Sequence, residues 1–415
     1  MPRTPRFWAA PIAVTLALLS ALAALYLGGI VKPTTNLRGF PIALVNEDSG
    51  PFGGRIADGL TSGLDAERFD VRVLSQAGAA EQLDHAQVYG LVTIPADFSA
   101  TFQGLATNAL GPGRLNRPQI TIATNPRAGS MGASIAGQTL SRAIAKVNQT
   151  AGERLSAQVT EHAGNTALSA AVTFVLANPI EITDTVHHPL PDGTGNGLSA
   201  FYYSLLLLLA GFTGSIVVST LVDSMLGYVP AEFGPVYRFA EQVRISRLRT
   251  LLIKWALMVV LALLTSAVYL AIAHRLGMPI PHGWAVWGYG VFAISAVGIT
   301  STSLIAVLGS LGLLASMLVF VILGLPSAGA TVPLEATPAF FRWLAKFEPM
   351  HQVFLGARAL LYLDGGPGSG LSHALTMTAI GMAVGLLLGA VVTRSYDRRG
   401  YHRIHGGWNG TSVIR

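Results

Sequence analysis

The sequence contains no cysteine, which excludes disulfide bonds, thiolate metal sites and cysteine nucleophiles. Charge is also scarce: charged residues make up 12% of the 415 residues, against about 25% in an ordinary soluble domain. None of the four lysines is followed by serine or threonine, so the chain lacks the Gly-Lys-Ser/Thr of an ATP-binding P-loop. If ATP drives this protein, another subunit hydrolyses it.

One uncharged segment is too long for a soluble domain. No charged side chain occurs between Arg275 and Glu335, and Trp284 to Leu325 is 42 residues of almost unbroken apolar sequence. As a helix it would measure roughly 63 Å, about twice the ~30 Å hydrocarbon core of a bilayer. Two helices joined by a turn fit that thickness, and Gly309-Ser310 is the predicted turn. The chain is therefore predicted to be an integral membrane protein.

Six segments approach the length that a membrane-crossing helix needs. The first could instead be a cleavable signal peptide with Ala21-Leu22-Ala23 as its cleavage site. Its apolar stretch exceeds the roughly 7–15 residues of a signal core, which favours retention. The fifth segment is the shortest. The predicted spans are Trp8 to Val31, Leu198 to Val222, Leu251 to Ala273, Trp284 to Val307, Leu311 to Leu325 and Ala374 to Thr393.

Arginine and lysine predict the orientation, because cytoplasmic loops are enriched in them. Basic residues cluster before the first span, between the second and third, and after the sixth, so both termini are predicted to be cytoplasmic. Phe40 to Leu190 has nine Arg and Lys against thirteen Asp and Glu and is placed outside. The predicted fold is an α-helical integral membrane protein with six transmembrane helices and an α/β extracytoplasmic domain inserted between the first and second. Its parts are 1–35 with the first span, the outer domain 36–197, the permease domain 198–393 and the basic cytoplasmic tail 394–415.

The outer segment alternates short strands and helices. A change to three- and four-residue spacing predicts one long amphipathic helix from Ser130 to Leu176, or two, broken near Gly152 or Gly164. The predicted strands are Ile42 to Val45, Phe69 to Leu74, Tyr89 to Ile94 and Gln119 to Ala123, and the predicted helices are Gly54 to Leu64, Ala79 to Gln87 and Ala96 to Phe102.

Two short motifs follow predicted strands. The first runs from Pro41 to Gly50 and contains Asn46, Glu47 and Asp48 before that glycine; the second runs from Val88 to Ser99 and contains Pro95, Asp97 and Phe98. With Pro189 to Gly197, these motifs resemble the YhgE/Pip (phage infection protein) family, which is similar to a branch of the type-2 ABC exporter permeases. Such permeases have one span, an outer domain and five further spans, with a proline-punctuated outer segment before the last. Pro333, Pro338, Pro349 and Arg358 stand in the matching place, in an outer segment 326–372.

The resemblance implies a permease subunit that pairs with an identical or related permease and is powered by a separate ATPase. The scarcity of charge inside the spans argues against a small-ion path and favours an amphipathic or lipid-like substrate. The resemblance also allows another function, since Pip-like proteins include phage attachment factors and accessory components of type VII secretion. A domain of about 150 residues is short for such a receptor.

The predicted outer segment from Pro333 to Asp364 is too broken for a span and too apolar for a free loop. It is predicted to form short helices in or near the outer leaflet, with an ordinary extracellular connector as the alternative.

The loop 223–250 between the second and third spans is the predicted coupling loop. Ala240 to Arg249 is predicted to form a basic helix on which Glu241, Arg244 and Arg247 are neighbours. By resemblance these three residues would dock on the ATPase subunit. The alternative is a juxtamembrane helix resting on anionic lipid.

Gly381, Gly385 and Gly389 are spaced four residues apart in the sixth span, which allows close helix packing, within one subunit or across a dimer seam. His187-His188 is a weak metal signal, and Asn46 to Asp48 beside glycine is typical of a turn. We therefore predict no metal site, no cofactor and no catalytic residue. The net charge of +6 lies beside the apolar segments, which indicates membrane topology rather than a nucleic acid partner.

Overall fold

The structure, a computed structural model, describes residues 5–109, 114–163, 169–238, 240–401 and 403. These residues form two compact units. The sheet unit comprises Gly28–Leu198 and Gly329–Arg342, and the membrane unit comprises the described residues of Met1–Leu27, Ser199–Ala328 and Trp343–Arg415. Gly329–Arg342, which the sequence analysis placed with the permease domain, packs in the sheet unit.

The described residues contain the following elements. The helices are α1 (Pro5–Ile30), α2 (Pro51–Gly63), α3 (Gln76–Asp84), α4 (Phe98–Asn108), α5 (Ser130–Ala163), α6 (Ala170–Ala177), α7 (Leu198–Met225), α8 (Arg247–Arg275), α9 (Gly283–Leu308), α10 (Ser310–Met317), α11 (Gly324–Ser327), α12 (Ala339–Ala345), α13 (Pro349–Tyr362) and α14 (Leu371–Arg398). The strands are β1 (Phe40–Asn46), β2 (Phe69–Val73), β3 (Gly90–Ile94), β4 (Gln119–Thr124), β5 (Glu181–Val186), β6 (Ala231–Phe233) and β7 (Val236–Arg238).

Five strands form one mixed sheet in the order β2-β1-β3-β4-β5. β1 is parallel to β2 and β3, β3 is antiparallel to β4, and β4 is parallel to β5. The four strands predicted from sequence are confirmed. The fifth, β5, was not predicted, because its exposed, polar-rich sequence carries little hydrophobic pattern.

β1 is buried on both faces of this sheet, which its nearly continuous apolar sequence requires. Phe40, Ile42 and Leu44 point into the main core, whereas Ala43 and Val45 point into a smaller cluster on the other face. The smaller cluster includes Ala79 and Leu83 of α3, and the main core includes apolar residues of α2, α4 and α5. The sheet is therefore covered on both faces, as in other α/β layers.

The long amphipathic segment forms α5 and α6. Gly152 does not break α5. Instead, a Cβ at Gly152 would lie 2.2 Å from the Ala177 carbonyl oxygen, so glycine is needed for the close approach of the end of α6. The predicted break at Gly164 lies outside the described residues.

In the described part of the chain, five helices are long and apolar enough to cross a membrane. Four correspond to α7, α8, α9 and α14, and the fifth runs from Ser310 to Ser327 through α10, a π-helical turn and α11. The turn predicted between the fourth and fifth spans is confirmed, since Gly309 has φ 62°. The first predicted span coincides with α1, in which Thr15–Ile30 is a shorter apolar helix, and a sixth crossing stays a prediction.

α9 is the central helix of the membrane unit and packs against both α8 and α14. It buries small polar side chains that bond to neighbouring helices: Ser215 Oγ lies 2.7 Å from Ser301 Oγ, and Trp255 Nε1 donates to Ser303 Oγ at 3.2 Å. These interhelical bonds satisfy polar groups that lipid could not.

Candidate functional site

The predicted coupling loop does not form a basic helix. Residues 231–238 form the β6-β7 hairpin around Gly234, which has φ 57°, and the described residues from 240 to 246 are not helical. α8 begins only at Arg247, where the Ser246 hydroxyl accepts a hydrogen bond from Arg249 N at 3.2 Å. The helical prediction was wrong for residues 240–246, because Ser246 caps the helix that begins at Arg247, and it holds only for Arg247 to Arg249.

An ionic cluster, here called the Asp223 cluster, joins the buried Lys254 to the partly exposed Asp223 and Arg403. Lys254 Nζ and Arg403 Nη1 lie 2.8 and 2.9 Å from the same oxygen, Asp223 Oδ1. Both cations therefore form ion pairs with one carboxylate oxygen. The Lys254 side chain is only 2% exposed.

This cluster was missed at the level of sequence, although a signal was present. Lys254 is a single lysine inside a predicted span, and such residues usually mark a functional or pairing site. Its partner Asp223 lies at the end of the preceding span and Arg403 lies beyond the sixth, so only the fold could bring the three together. The small cavity beside the cluster has a volume of about 10 Å³, room for about one water molecule.

Asp397, in the last turn of α14, caps the beginning of α8. Its carboxylate accepts hydrogen bonds from Arg247 N at 2.8 Å and Leu248 N at 3.0 Å. The Arg247 side chain donates from Nε to Tyr401 O at 2.6 Å, and its guanidinium lies 5.4 Å from the centre of the Tyr396 ring. Arg247 is therefore held against the C-terminal end of α14.

Gln242 and Val243 of the loop are also held by hydrogen bonds. Gln242 Nε2 donates to Arg403 O at 2.6 Å, and the Tyr228 hydroxyl donates to Val243 O at 3.0 Å. Glu241 and Arg244 are exposed. Of the three predicted docking residues, these two present their charges to solvent, whereas Arg247 connects α8 with α14.

In the sheet unit, the two motifs at the ends of β1 and β3 contact each other. The Asp48 carboxylate accepts hydrogen bonds from Ser99 Oγ, from Ser99 N at 3.1 Å and from Gly53 N at 3.0 Å. Burial raises the pKa of this carboxylate, but the hydrogen bonds from Ser99 and Gly53 outweigh that effect and hold the pKa below its usual value. A Cβ at Gly50 would lie 2.4 Å from Ser99 Cβ, which explains the glycine.

The neighbouring motif residues shape the same turns. Asn46 Oδ1 accepts from Asp48 N at 3.1 Å, and exposed Glu47 donates its backbone N–H to Ile94 O at 2.9 Å. Asp97 precedes α4 without a side-chain cap, and Phe98 is fully buried in the main core. These residues therefore join β1, β3 and α4.

The proline-punctuated segment is divided between the two units. In the sheet unit, Pro333 and Pro338 flank a short turn, Glu335 accepts from Tyr89 OH at 3.1 Å, and its carbonyl accepts from Arg38 N at 2.9 Å. The prediction of short helices is confirmed by α12 and α13. Their depth in a bilayer stays a prediction.

In the membrane unit, Pro349 is the first residue of α13, and Glu348 caps the helix by accepting from His351 N at 3.0 Å. Burial raises the pKa of Glu348 to about 7. Burial also lowers the pKa of His351 to about 4, and its neutral ring donates from Nδ1 to Ala328 O at 2.8 Å. Arg358 lies further along α13, with its guanidinium 5.6 Å from the centre of the Phe354 ring.

Two of the three spaced glycines lie in helix contacts within the chain. A Cβ at Gly385 would lie 2.4 Å from Thr300 Oγ1, and one at Gly389 would lie 2.6 Å from Ser303 Oγ, both in α9. A Cβ at Gly381 would meet no described atom within 4 Å.

His187 and His188 lie beside Asp84. Their Nε2 atoms are 2.8 and 3.3 Å from Asp84 Oδ1, and the left-handed backbone of His188, with φ 44°, turns both rings to this carboxylate. Around a tetrahedral zinc the ligand atoms are about 3.3 Å apart, so the His188 contact fits a shared ion and the His187 contact is a direct hydrogen bond. His187 thus bonds to Asp84, and the three side chains are close enough together to hold a metal ion.

The fold and these contacts define a multi-pass membrane protein with an α/β sheet unit. The chain belongs to the family described as Protein of unknown function (DUF3533), which it matches over residues 11–384. No curated protein matches it. A solved domain assigned to an ABC type-2 transporter of Thermotoga maritima MSB8 is 18% identical, with a TM-score of 0.24, over 35% of this chain and 85% of that one. A likeness at that level carries no functional argument.

Proposed function

We propose that this chain is the membrane-spanning permease subunit of an ATP-driven type-2 ABC exporter. It would move an amphipathic or lipid-like substrate outward and pair with an identical or related permease, while a separate ATPase subunit hydrolyses ATP. The proposal keeps the resemblance to the YhgE/Pip family, cytoplasmic termini and an extracytoplasmic domain 36–197. The observation that carries it is the connection of one exposed loop to three apolar helices.

That connection is a series of hydrogen bonds and ion pairs. The loop carrying Glu241 and Arg244 bonds through Gln242 to Arg403, which pairs with Asp223 at the end of α7. The same carboxylate pairs with Lys254 in α8. Asp397 then joins the beginning of α8 to the end of α14.

Such an arrangement supports a coupling mechanism. A buried ion pair is costly to form and to separate, so its members move together rather than independently. A partner that pushes on the exposed charges of Glu241 and Arg244 would displace the loop, and the Asp223 cluster would pass that displacement to α7 and α8. Arg247 would act as a positioning residue, because its contacts hold the start of α8 against α14.

The first test is isolation of the chain from its native membrane, followed by identification of the proteins that accompany it. Recovery of an ATPase subunit supports the exporter. Recovery of secretion components or phage proteins without an ATPase supports the alternative surface protein and contradicts this proposal.

The second test uses two matched charge reversals. Arg244→Glu should reduce stimulation of the recovered ATPase at least tenfold, since it inverts an exposed charge of the loop. Arg275→Glu makes the same change at the opposite, exposed end of α8 and should leave stimulation unchanged. Equal effects of the two variants would contradict the assignment of the docking surface.

A further inference from the structure

The sheet unit contains a large cavity between α2, α4 and α5. Its volume is about 690 Å³, within the roughly 300–1,000 Å³ typical of small-molecule sites. The floor is apolar and aromatic, formed mainly by Phe52, Ile56, Phe98, Phe102, Val147 and Leu155. Within this floor, Phe98 and Phe102 are buried, and the Phe52 and Phe102 rings lie 4.7 Å apart.

Small residues on the two facing helices keep the cavity open. α2 contributes Gly59 and Gly63, which are four residues apart, and α5 contributes Ala143 and Ala151, which are eight residues apart on one face. A Cβ added at Gly59 would reach only ordinary contact distance, 3.8 Å, from Val147, and one at Gly63 would meet no described atom within 4 Å. Larger side chains at these positions would fill the space, so the cavity follows directly from the residue types.

The charged groups at the cavity are all positive. Arg55, Lys146 and Arg154 line it and are exposed, and its lining includes no acidic side chain. None of the three forms an ion pair with a described residue. Lys146 and Arg154 are eight residues apart on α5, roughly 12 Å along one helix face. An anion at this rim would therefore find three cations that form no ion pair with a described residue, two of them guanidiniums suited to bidentate binding of a carboxylate.

We propose that this cavity binds an anionic amphiphile with one acyl chain, of the long-chain fatty acid class. The acyl chain lies on the aromatic floor and the carboxylate lies among the three cations. A leaflet-length acyl chain spans about 15 Å, half of the hydrocarbon core, and the lining part of α5 from Ala143 to Gln158 extends about 22 Å. A peptide is disfavoured because the lining offers few uncharged polar side chains for its backbone, Thr150 and Gln158.

This inference deepens the proposed function by naming its substrate class, and it rests on that function only for the role of the cavity in collecting substrate. Binding needs neither ATP nor an ATPase. A failure of binding would therefore overturn the substrate class and leave the exporter proposal standing. If palmitate binds but no ATPase accompanies the chain, the exporter proposal is overturned and the ligand class of the cavity stands.

The test uses the full chain in lipid nanodiscs and palmitate carrying a photoreactive diazirine on its acyl chain. After illumination, mass spectrometry should find the label in peptides that contain 52–63, 98–102 and 143–158. Unlabelled palmitate should reduce labelling at least fivefold, whereas hexadecanol, which has the same chain without the charge, should not. Equal competition by hexadecanol would overturn the role of the cations.

Two variants and one control separate this site from general hydrophobic labelling. Replacement of Arg55, Lys146 and Arg154 by alanine should reduce labelling at least fivefold, and Ala151→Phe should reduce it by filling the cavity. Arg142→Ala, an exposed arginine of α5 that does not line the cavity, should leave it unchanged. Unchanged labelling in both site variants, with each eluting as the parent protein does, would overturn the proposal.

Discussion

Lys254 Nζ lies 2.8 Å from Asp223 Oδ1, and this pair joins two apolar helices of the membrane unit by opposite charges. Arg403 contacts the same carboxylate oxygen at 2.9 Å. One carboxylate thus compensates two cations. Because the two cations share one carboxylate, removing that carboxylate should cost more stability than removing either cation.

The first prediction compares the members of the Asp223 cluster. Asp223→Asn leaves Lys254 buried without a counter-charge and should destabilise the protein by about 3–5 kcal/mol. Lys254→Met removes a buried cation while Arg403 still pairs with the carboxylate, so its cost should be smaller. Thermal unfolding of the purified protein measures both. A larger loss for Lys254→Met than for Asp223→Asn would contradict the shared-carboxylate arrangement.

Glu348 and His351 carry opposite pH dependences. Burial raises the pKa of Glu348 from 4.5 to about 7, so the folded state holds an extra proton and stability falls as pH rises between those values. Burial lowers the pKa of His351 from 6.5 to about 4, so stability rises with pH over that interval. Each contribution amounts to roughly 3 kcal/mol, and between about pH 4.5 and 6.5 the two nearly cancel.

The second prediction follows from that cancellation. Glu348→Gln keeps an oxygen acceptor for His351 N but removes the titration, so stability should rise from pH 4.5 to 6.5. His351→Asn should show the opposite slope, and the parent protein should be flatter than either. Unfolding temperatures at three pH values in this interval measure the slopes. Slopes of the same sign in the two variants would contradict the assigned pKa directions.

The third prediction concerns the contact between the two motifs that contain Asp48 and Ser99. Ser99→Ala removes a hydrogen bond from the buried Asp48 carboxylate and should cost about 1–3 kcal/mol. The low pKa of Asp48 contributes stability that is present above the unfolded value of 3.8 and is lost as pH falls through the folded value. Losing the Ser99 hydroxyl should raise the folded pKa and move acid unfolding to higher pH. Ser49→Ala, an exposed neighbour, is the control and should change neither quantity.

The fourth prediction separates packing within the chain from a dimer seam. Gly385→Leu should disrupt α14 against α9 because its Cβ alone would overlap Thr300, and overpacking costs about 1–3 kcal/mol or more. Gly381→Leu adds the same side chain where no described atom lies within 4 Å and should leave monomer stability unchanged. Unfolding temperature and light scattering of the detergent complex measure stability and oligomeric state. Loss of a dimer in Gly381→Leu alone would place that glycine in a seam between copies.

Membrane helices, turns and central strands were predictable because their signals are local. An uncharged apolar segment can satisfy its backbone in lipid only as helix, and Gly309 marks the turn that divides it. The residues of β1 from Phe40 to Val45 are all apolar, on both faces of the strand, which identifies a strand covered on both sides. These features depend on nearby residues, so the amino-acid order alone was enough to find them.

The segment from Ala240 to Arg249 shows where that reasoning failed. Its charges have helical spacing, but Ser246 acts as the N-cap, so the helix begins only at Arg247. The exposed strand β5 was missed because it lacks a hydrophobic pattern of its own. Its pairing with β4 stabilises it instead.

By itself, the sequence determined that this protein crosses a membrane, that it carries an α/β unit, and where most helices and strands begin, because hydrophobic periodicity and turn chemistry act over a few residues. Only the tertiary structure decided which distant charges meet: Asp223 with Lys254 and Arg403, and Asp48 with Ser99. It also decided that α2 and α5 leave a cation-rimmed cavity between them. Such groups are far apart along the chain, and the packing of whole helices and strands brings them within bonding distance.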